Sequence, residues 1–227
     1  MLRSIMGSRD VKPPTEVVTV LPTIEIRWFG EDAVPTEVRE WFGGLSTKMD
    51  SQPARVDHYL MEPRTDAVGI KFRQGRIEVK QLRGERRLAL FAPGWEGYVE
   101  QWHKWGFTLA LGQRRRRALM RLDSWLPVRK KRYVIEYGIS STGQPIALRG
   151  GSRAGCICSV ELTEVRVRRD TCWTLGFEAE LSDEESEHGL RRVAREVLDA
   201  YPLAPIEPST SLSYPSWLRG LQATAGA

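Results

Sequence analysis

The chain has 227 residues, 41% hydrophobic and 28% charged, a composition that fits a globular domain and excludes a disordered or fibrous chain. No apolar run approaches the roughly 20 residues of a membrane-spanning helix, and residues 1–11 lack the continuous apolar stretch of a secretory signal, so a cytoplasmic protein with no membrane partner is expected. The formal charge of +5 favours an anionic partner, and three cysteines, an odd number, exclude a complete set of internal disulfides.

Residues 1–16 are polar, contain Pro13-Pro14 and read as a flexible tail. A strand is expected over 17–29, then a short helix over 35–42, where Val38, Trp41 and Phe42 fall at helical spacing before Gly43-Gly44. Strands follow at 55–61, 67–73 and 76–82, the last two joined through Gln74-Gly75 as a hairpin. Four more, at 97–109, 128–138, 157–168 and 171–181, bring the count to eight. A second helix comes next: Ser182 with Glu185 three residues on forms a capping box. Leu190, Val193, Ala194, Val197, Leu198 and Tyr201 then make one apolar stripe. Pro202, Pro205, Pro208 and Pro215 are expected to break any further helix, leaving 202–227 as a proline-rich tail. Its aromatic patch, Tyr214 and Trp217, is suited to dock back on the domain spanning 17–201.

The strands share one character. In Thr23-Ile24-Glu25-Ile26-Arg27, Ile70-Lys71-Phe72-Arg73, Ile77-Glu78-Val79-Lys80, Val128-Arg129-Lys130-Lys131-Arg132, Val160-Glu161-Leu162-Thr163 and Gly176-Phe177-Glu178-Ala179-Glu180, charged and apolar residues alternate. Side chains two apart share a strand face, so charges gather on one side and apolar groups on the other. A single strand of this kind also describes a half-buried sheet with a solvated face. Six of them point to a surface that holds a charged ligand. Eight strands without a βαβ rhythm imply an antiparallel sheet closed on itself, with flanking helices. The expected fold is α+β, mainly β: a closed eight-stranded antiparallel β-tunnel, charged inside and apolar outside against the helices. Unpaired buried charges cost several kcal/mol each, so such a lumen has to be wet or filled.

If the charges converge, the acids are Glu25, Glu161, Glu178 and Glu180, with Glu78 beside them, and the bases are Arg27, Lys71, Arg73, Lys80, Lys130 and Arg132. Carboxylates gathered at one place repel unless a cation sits among them, and oxygen ligands suit Mg2+ or Mn2+. A ring of Lys and Arg suits phosphate oxygens. Together they describe a site for a small-molecule triphosphate or polyphosphate, in which a metal polarises the phosphoryl group.

These motifs resemble those of the CYTH superfamily, the triphosphate tunnel metalloenzymes. Thr23-Ile24-Glu25-Ile26-Arg27 stands in the place of their opening E-x-E-x-K strand. Arg55-Val56-Asp57-His58-Tyr59-Leu60 is similar to their second strand, and Gly69-Ile70-Lys71-Phe72-Arg73 with Val79-Lys80 to the next two. Val128-x-Lys130-x-Arg132 matches V-x-K-x-R, Glu161 stands near the strand-seven acid, and Phe177-Glu178-Ala179-Glu180 matches the closing E-x-E. The likeness spans residues 17–200. It implies a metal-dependent triphosphatase-type phosphohydrolase. Glu25, Glu178 and Glu180 would be its catalytic metal ligands, assisted by Glu161, and Arg27, Lys71, Arg73, Lys80, Lys130 and Arg132 would hold phosphate. Thr23 replaces the first glutamate and Arg27 the lysine, which favours a single metal and leaves a non-catalytic tunnel binding a phosphorylated ligand as the alternative.

Other features carry less. Arg114-Arg115-Arg116-Arg117 is a possible nucleic-acid contact, though such a run is more often a solvated face. The tryptophans at 95, 102, 105 and 125 read as packing. His58, His103 and His188 have no metal spacing, and the glycine-rich segment 150–155 lacks a Walker lysine and reads as a turn.

Overall fold

The structure is a computed structural model that describes residues 17–46, 49–61, 65–109, 112–148, 155–181 and 185–225. The expected tail at 1–16 and the Ser182 cap lie outside these residues. Among the described residues there are ten strands: β1 (Val17–Glu31), β2 (Asp50–Ser51), β3 (Arg55–Leu60), β4 (Val68–Arg73), β5 (Arg76–Ala92), β6 (Trp95–Thr108), β7 (Trp125–Ile139), β8 (Pro145–Ala147), β9 (Cys158–Val167) and β10 (Asp170–Glu180). Four helices accompany them: α1 (Thr36–Gly44), α2 (Gln113–Leu119), α3 (Glu185–Asp199) and α4 (Tyr214–Ala225).

Eight strands close a barrel in the order β7-β3-β4-β5-β6-β1-β10-β9, with β9 returning to β7, and every pairing is antiparallel. The short β2 and β8 pair with β7 outside this ring. The eight barrel strands are those expected from the sequence, although β5 runs ten residues past the expected end at 82. Between β4 and β5, Gln74 (φ 48°) and Gly75 (φ 85°) both adopt left-handed geometry. That is the two-residue turn whose twist matches the strands it joins.

Strand parity sorts the side chains as the alternation implies. Ile24, Ile26 and Trp28 of β1 face outward, with Ile135 of β7, Leu162 of β9 and Leu175 and Phe177 of β10. This outer wall is the main hydrophobic core. Helix α1 covers it with Val38 and Phe42, and α3 with Leu190, Val193, Ala194, Val197 and Leu198, the predicted stripe. Tyr201 closes the seam by edge contacts to Trp41 and Trp95 at centroid distances of 5.1 and 4.9 Å.

A second, smaller core lies inside one end of the barrel: Phe29, Tyr59, Val128, Val165 and Val167 pack against Tyr214 and Leu218 of α4. Here the sequence reading needs correction, because the prolines do not break this helix. Pro215 occupies the first turn of α4, where its missing N–H has no intrahelical partner to lose. The segment therefore carries a helix that docks on the barrel, and Tyr214 is the side chain that enters it. No helix among the described residues is long and apolar enough to cross a membrane.

Candidate functional site

The inward positions of the strands enclose a cavity of about 500 Å³, within the range of small-molecule sites. Glu25, Arg27, Lys71, Arg73, Lys80, Lys130, Arg132, Glu161 and Glu178, all singled out in the sequence, line it together. Glu180 does not. It sits opposite Thr23 at the end of β10, is exposed, and is absent from the lining. Arg55, Asp57, Arg76, Glu78 and Lys104 complete the charged wall. Of these, Lys104 was the readable omission: Glu100, Trp102 and Lys104 alternate along β6 as the other charged strands do.

Near the α4 end, Arg27 Nη1 donates to Glu161 Oε1 at 3.0 Å and to Thr174 Oγ1 at 2.8 Å. Arg132 Nε donates to Glu161 Oε2 at 2.7 Å, and Thr163 Oγ1 donates to Oε1 at 2.7 Å. Burial works against ionisation of Glu161, but Arg27 and Arg132 hold its carboxyl well below the usual range. Gly176 makes the crossing of Arg27 possible, since a Cβ there would lie 2.7 Å from the guanidinium carbon.

Lys130 is caged. Its Nζ donates to Tyr59 OH at 2.7 Å, lies 3.1 Å from the centre of the Tyr214 ring and 3.9 Å from Asp57 Oδ2. Burial pushes this ammonium well below the ordinary lysine range, despite Asp57. Across the lumen, Glu78 holds Lys71 at 3.0 Å and Arg73 at 2.5 Å. Glu25 takes Lys80 at 2.6 Å, while Lys80 also sits 3.9 Å over the Trp102 ring. Burial raises the Glu25 carboxyl, yet Lys80, Lys104 and Arg27 outweigh it and bring it down to about 2. Lys104 reaches Glu178 at 2.7 Å and Glu25 at 3.7 Å.

The charge of this wall is unequal. Nine basic side chains face five acidic ones, a surplus of four basic groups. Arg76 Nε is buried without a hydrogen-bond partner. Such a wall attracts a polyanion. The lining has no Ser, Thr, Cys or His, and its hydroxyls are the phenols of Tyr59 and Tyr214.

The metal fit is poor. A Mg2+ or Mn2+ site needs several free oxygen ligands on one point. Here each acid of the lining already holds a Lys or Arg, and among the described residues no three His, Cys, Asp or Glu side chains converge to hold an ion. Thr23 is buried and its Oγ1 has no partner, but it does not line the cavity.

The arginine run lies apart. Arg114, Arg115 and Arg117 are exposed on α2, and Arg116 donates to the Leu109 carbonyl at 2.8 Å beside the β4–β5 turn. The glycine-rich stretch at 150–154 lies outside the described residues.

Fold and site together define a closed antiparallel barrel with a cationic lumen. No protein-family model and no curated protein matches the chain. Among solved structures, that of the PH1819 protein from Pyrococcus horikoshii OT3 is similar, with a TM-score of 0.41 and 11% identity over 88% of this chain and 99% of that one.

Proposed function

We propose that the barrel binds a small-molecule triphosphate or polyphosphate in its lumen. The observation that carries this reading is the surplus of four basic side chains on the cavity wall, drawn from β1, β3, β4, β5, β6 and β7. Arg offers a planar fork and Lys a point charge to phosphoryl oxygens. A chain of phosphoryl groups would replace the internal acid partners of Arg132, Arg73 and Lys71 one by one. The strand motifs shared with the triphosphate tunnel metalloenzymes agree with this ligand class.

Metal-dependent hydrolysis of the same ligand has less support, because the carboxylates that would hold the ion are committed to bases. Nucleic-acid binding through Arg114–Arg117 is also weaker: α2 has seven residues, and one of its four arginines is tied to backbone.

Calorimetric titration with tripolyphosphate, ATP and thiamine triphosphate tests the proposal. Tripolyphosphate is expected to bind in the micromolar range, with affinity that falls as salt rises. Arg132→Ala should weaken it by about tenfold, the loss of one charge-assisted pair. Absence of heat with all three ligands, or an affinity untouched by Arg132→Ala, defeats the reading. Phosphate release in Mg2+ or Mn2+, measured on the same samples, decides the hydrolase alternative.

A further inference from the structure

We infer that Lys104 stands in for the divalent cation of this barrel, so that the lumen takes its polyphosphate ligand free of metal. Glu25 and Glu178 are direct cross-strand partners on β1 and β10, and both carboxylates face the cavity. Two inward carboxylates at this separation repel and call for a cation between them. The side chain that answers is Lys104, whose ammonium bridges them at 2.7 Å to Glu178 Oε1 and 3.7 Å to Glu25 Oε2.

Charge counting leaves no place for a further cation. Lys80 and Lys104 are themselves cross-strand partners on β5 and β6, an unfavourable like-charge pairing unless acids lie between them. Lys80 takes the first oxygen of Glu25, at 2.6 Å, and Lys104 the second. Within the cavity lining these two acids and two bases balance, and Glu100, across from Glu25 on β6, is buried outside the lining, so a divalent ion would add two positive charges with no lining acid left to meet them. Thr23, one strand step from Glu25, contributes a neutral hydroxyl outside the cavity lining rather than a third carboxylate. Lys104 also remains part of the cationic wall, and its ammonium meets phosphate with no metal between them.

The ligand clause of this inference rests on the phosphate-binding proposal, whereas the role of Lys104 can be measured without phosphate. Manganese alone is the probe, titrated into the protein and followed by the paramagnetic resonance of the free ion. The wild-type chain should bind no Mn2+ in its lumen at submillimolar concentration. Lys104→Ala and Lys104→Gln should each gain one Mn2+ with affinity improved about tenfold or more, because removing the ammonium frees the Glu178 carboxylate and the second oxygen of Glu25. Adding Glu25→Gln should abolish the gain. Thermal melts of both single variants confirm that each is folded, and having two guards against one failing. Equal manganese binding in wild type and variants, or no gain in either folded variant, overturns the inference.

Calorimetry with tripolyphosphate, in a chelator and then in Mg2+, forms the second arm. Affinity at least as high in the chelator is expected. A requirement for Mg2+ overturns the inference and leaves the phosphate reading standing. If tripolyphosphate binds under neither condition, the phosphate reading falls and the manganese arm still decides what Lys104 does.

Discussion

The guanidinium of Arg27 fills the space where a side chain on Gly176 would stand. The two are cross-strand partners on β1 and β10, and a Cβ on Gly176 would approach Arg27 Nη1 to 2.8 Å. Arg27 is held at its far end by Glu161 and Thr174, so it has little freedom to withdraw. Gly176→Ala should therefore cost about 2 kcal/mol of stability through overpacking. Urea unfolding measures it, and an unchanged midpoint would show that the guanidinium yields.

Glu161 balances two guanidinium groups at once. Glu161→Gln keeps the shape but leaves Arg27 and Arg132 without their counter-charge, an expected loss of about 3 kcal/mol. Glu161→Gln combined with Arg132→Met should recover part of that loss. A double variant no more stable than the single one would refute the account of Glu161 as a charge balance.

Acid should loosen the barrel through Glu25. Its carboxyl falls from 4.5 to about 2 in the folded chain, with Lys80 and Lys104 overcoming the effect of burial. A lowered carboxyl stabilises above its unfolded value and loses that contribution as pH falls. The midpoint of thermal unfolding should thus drop between pH 4.5 and 2, and the drop should shrink in Glu25→Gln. An equal drop in both proteins would assign the acid sensitivity elsewhere.

Glu100 behaves in the opposite sense. It is cross-strand to Glu25 on β6, and its carboxyl accepts from Trp102 Nε1 at 3.2 Å. Burial and the charge of Glu25 raise it to about 7, against weaker opposing pulls from Lys80, the Trp102 hydrogen bond and Arg86. A raised carboxyl favours the folded chain fully below its unfolded value near 4.5, and that contribution is lost as pH rises through 7. Glu100→Gln should raise the melting temperature at pH 8 by several degrees and change it little at pH 4. Destabilisation at pH 8 would contradict this.

Tyr214 carries the attachment of α4. It stacks on Tyr59 with centroids 5.9 Å apart, meets Phe29 edge-on at 5.4 Å and covers the Lys130 ammonium. Tyr214→Ala should cost about 3 kcal/mol, a large aromatic removed from a packed site. Tyr214→Phe should cost much less, since it keeps the ring contacts with Tyr59, Phe29 and Lys130. Equal losses in the two variants would move the weight from the ring to the hydroxyl.

Much of the barrel was legible in the sequence because alternation of charge and apolar groups is a local signal of period two. All eight barrel strands, and the place of nine of the ten candidate site residues in the cavity wall, follow from it. Glu180 escapes because parity fixes a face and not a depth: it shares the inward face of Glu178 but lies beyond the cavity at the strand end. Helix α4 is not legible because a proline breaks a helix interior but is tolerated at a helix start, a difference of position that composition does not carry. Lys104 is masked in the sequence by Trp102, His103 and Trp105, aromatic neighbours that mark a packed strand. The short β2 and β8 owe their pairing to β7 and have no pattern of their own.

The main hydrophobic core and the charged lumen lie on opposite sides of the same strands. Ile24, Ile26 and Trp28 secure the outer wall while Glu25 and Arg27 face the lumen. Replacing a lumen residue thus leaves the wall contacts of its two neighbours untouched. The barrel can exchange one ligand preference for another by drift at alternate positions, with no redesign of its wrapping. Inserting a single residue in β1 has the reverse effect, turning isoleucines into the water and glutamate into the helices. Lineages of such a barrel should accordingly vary more at lumen positions outside the Arg27–Glu161–Arg132 group than in strand length.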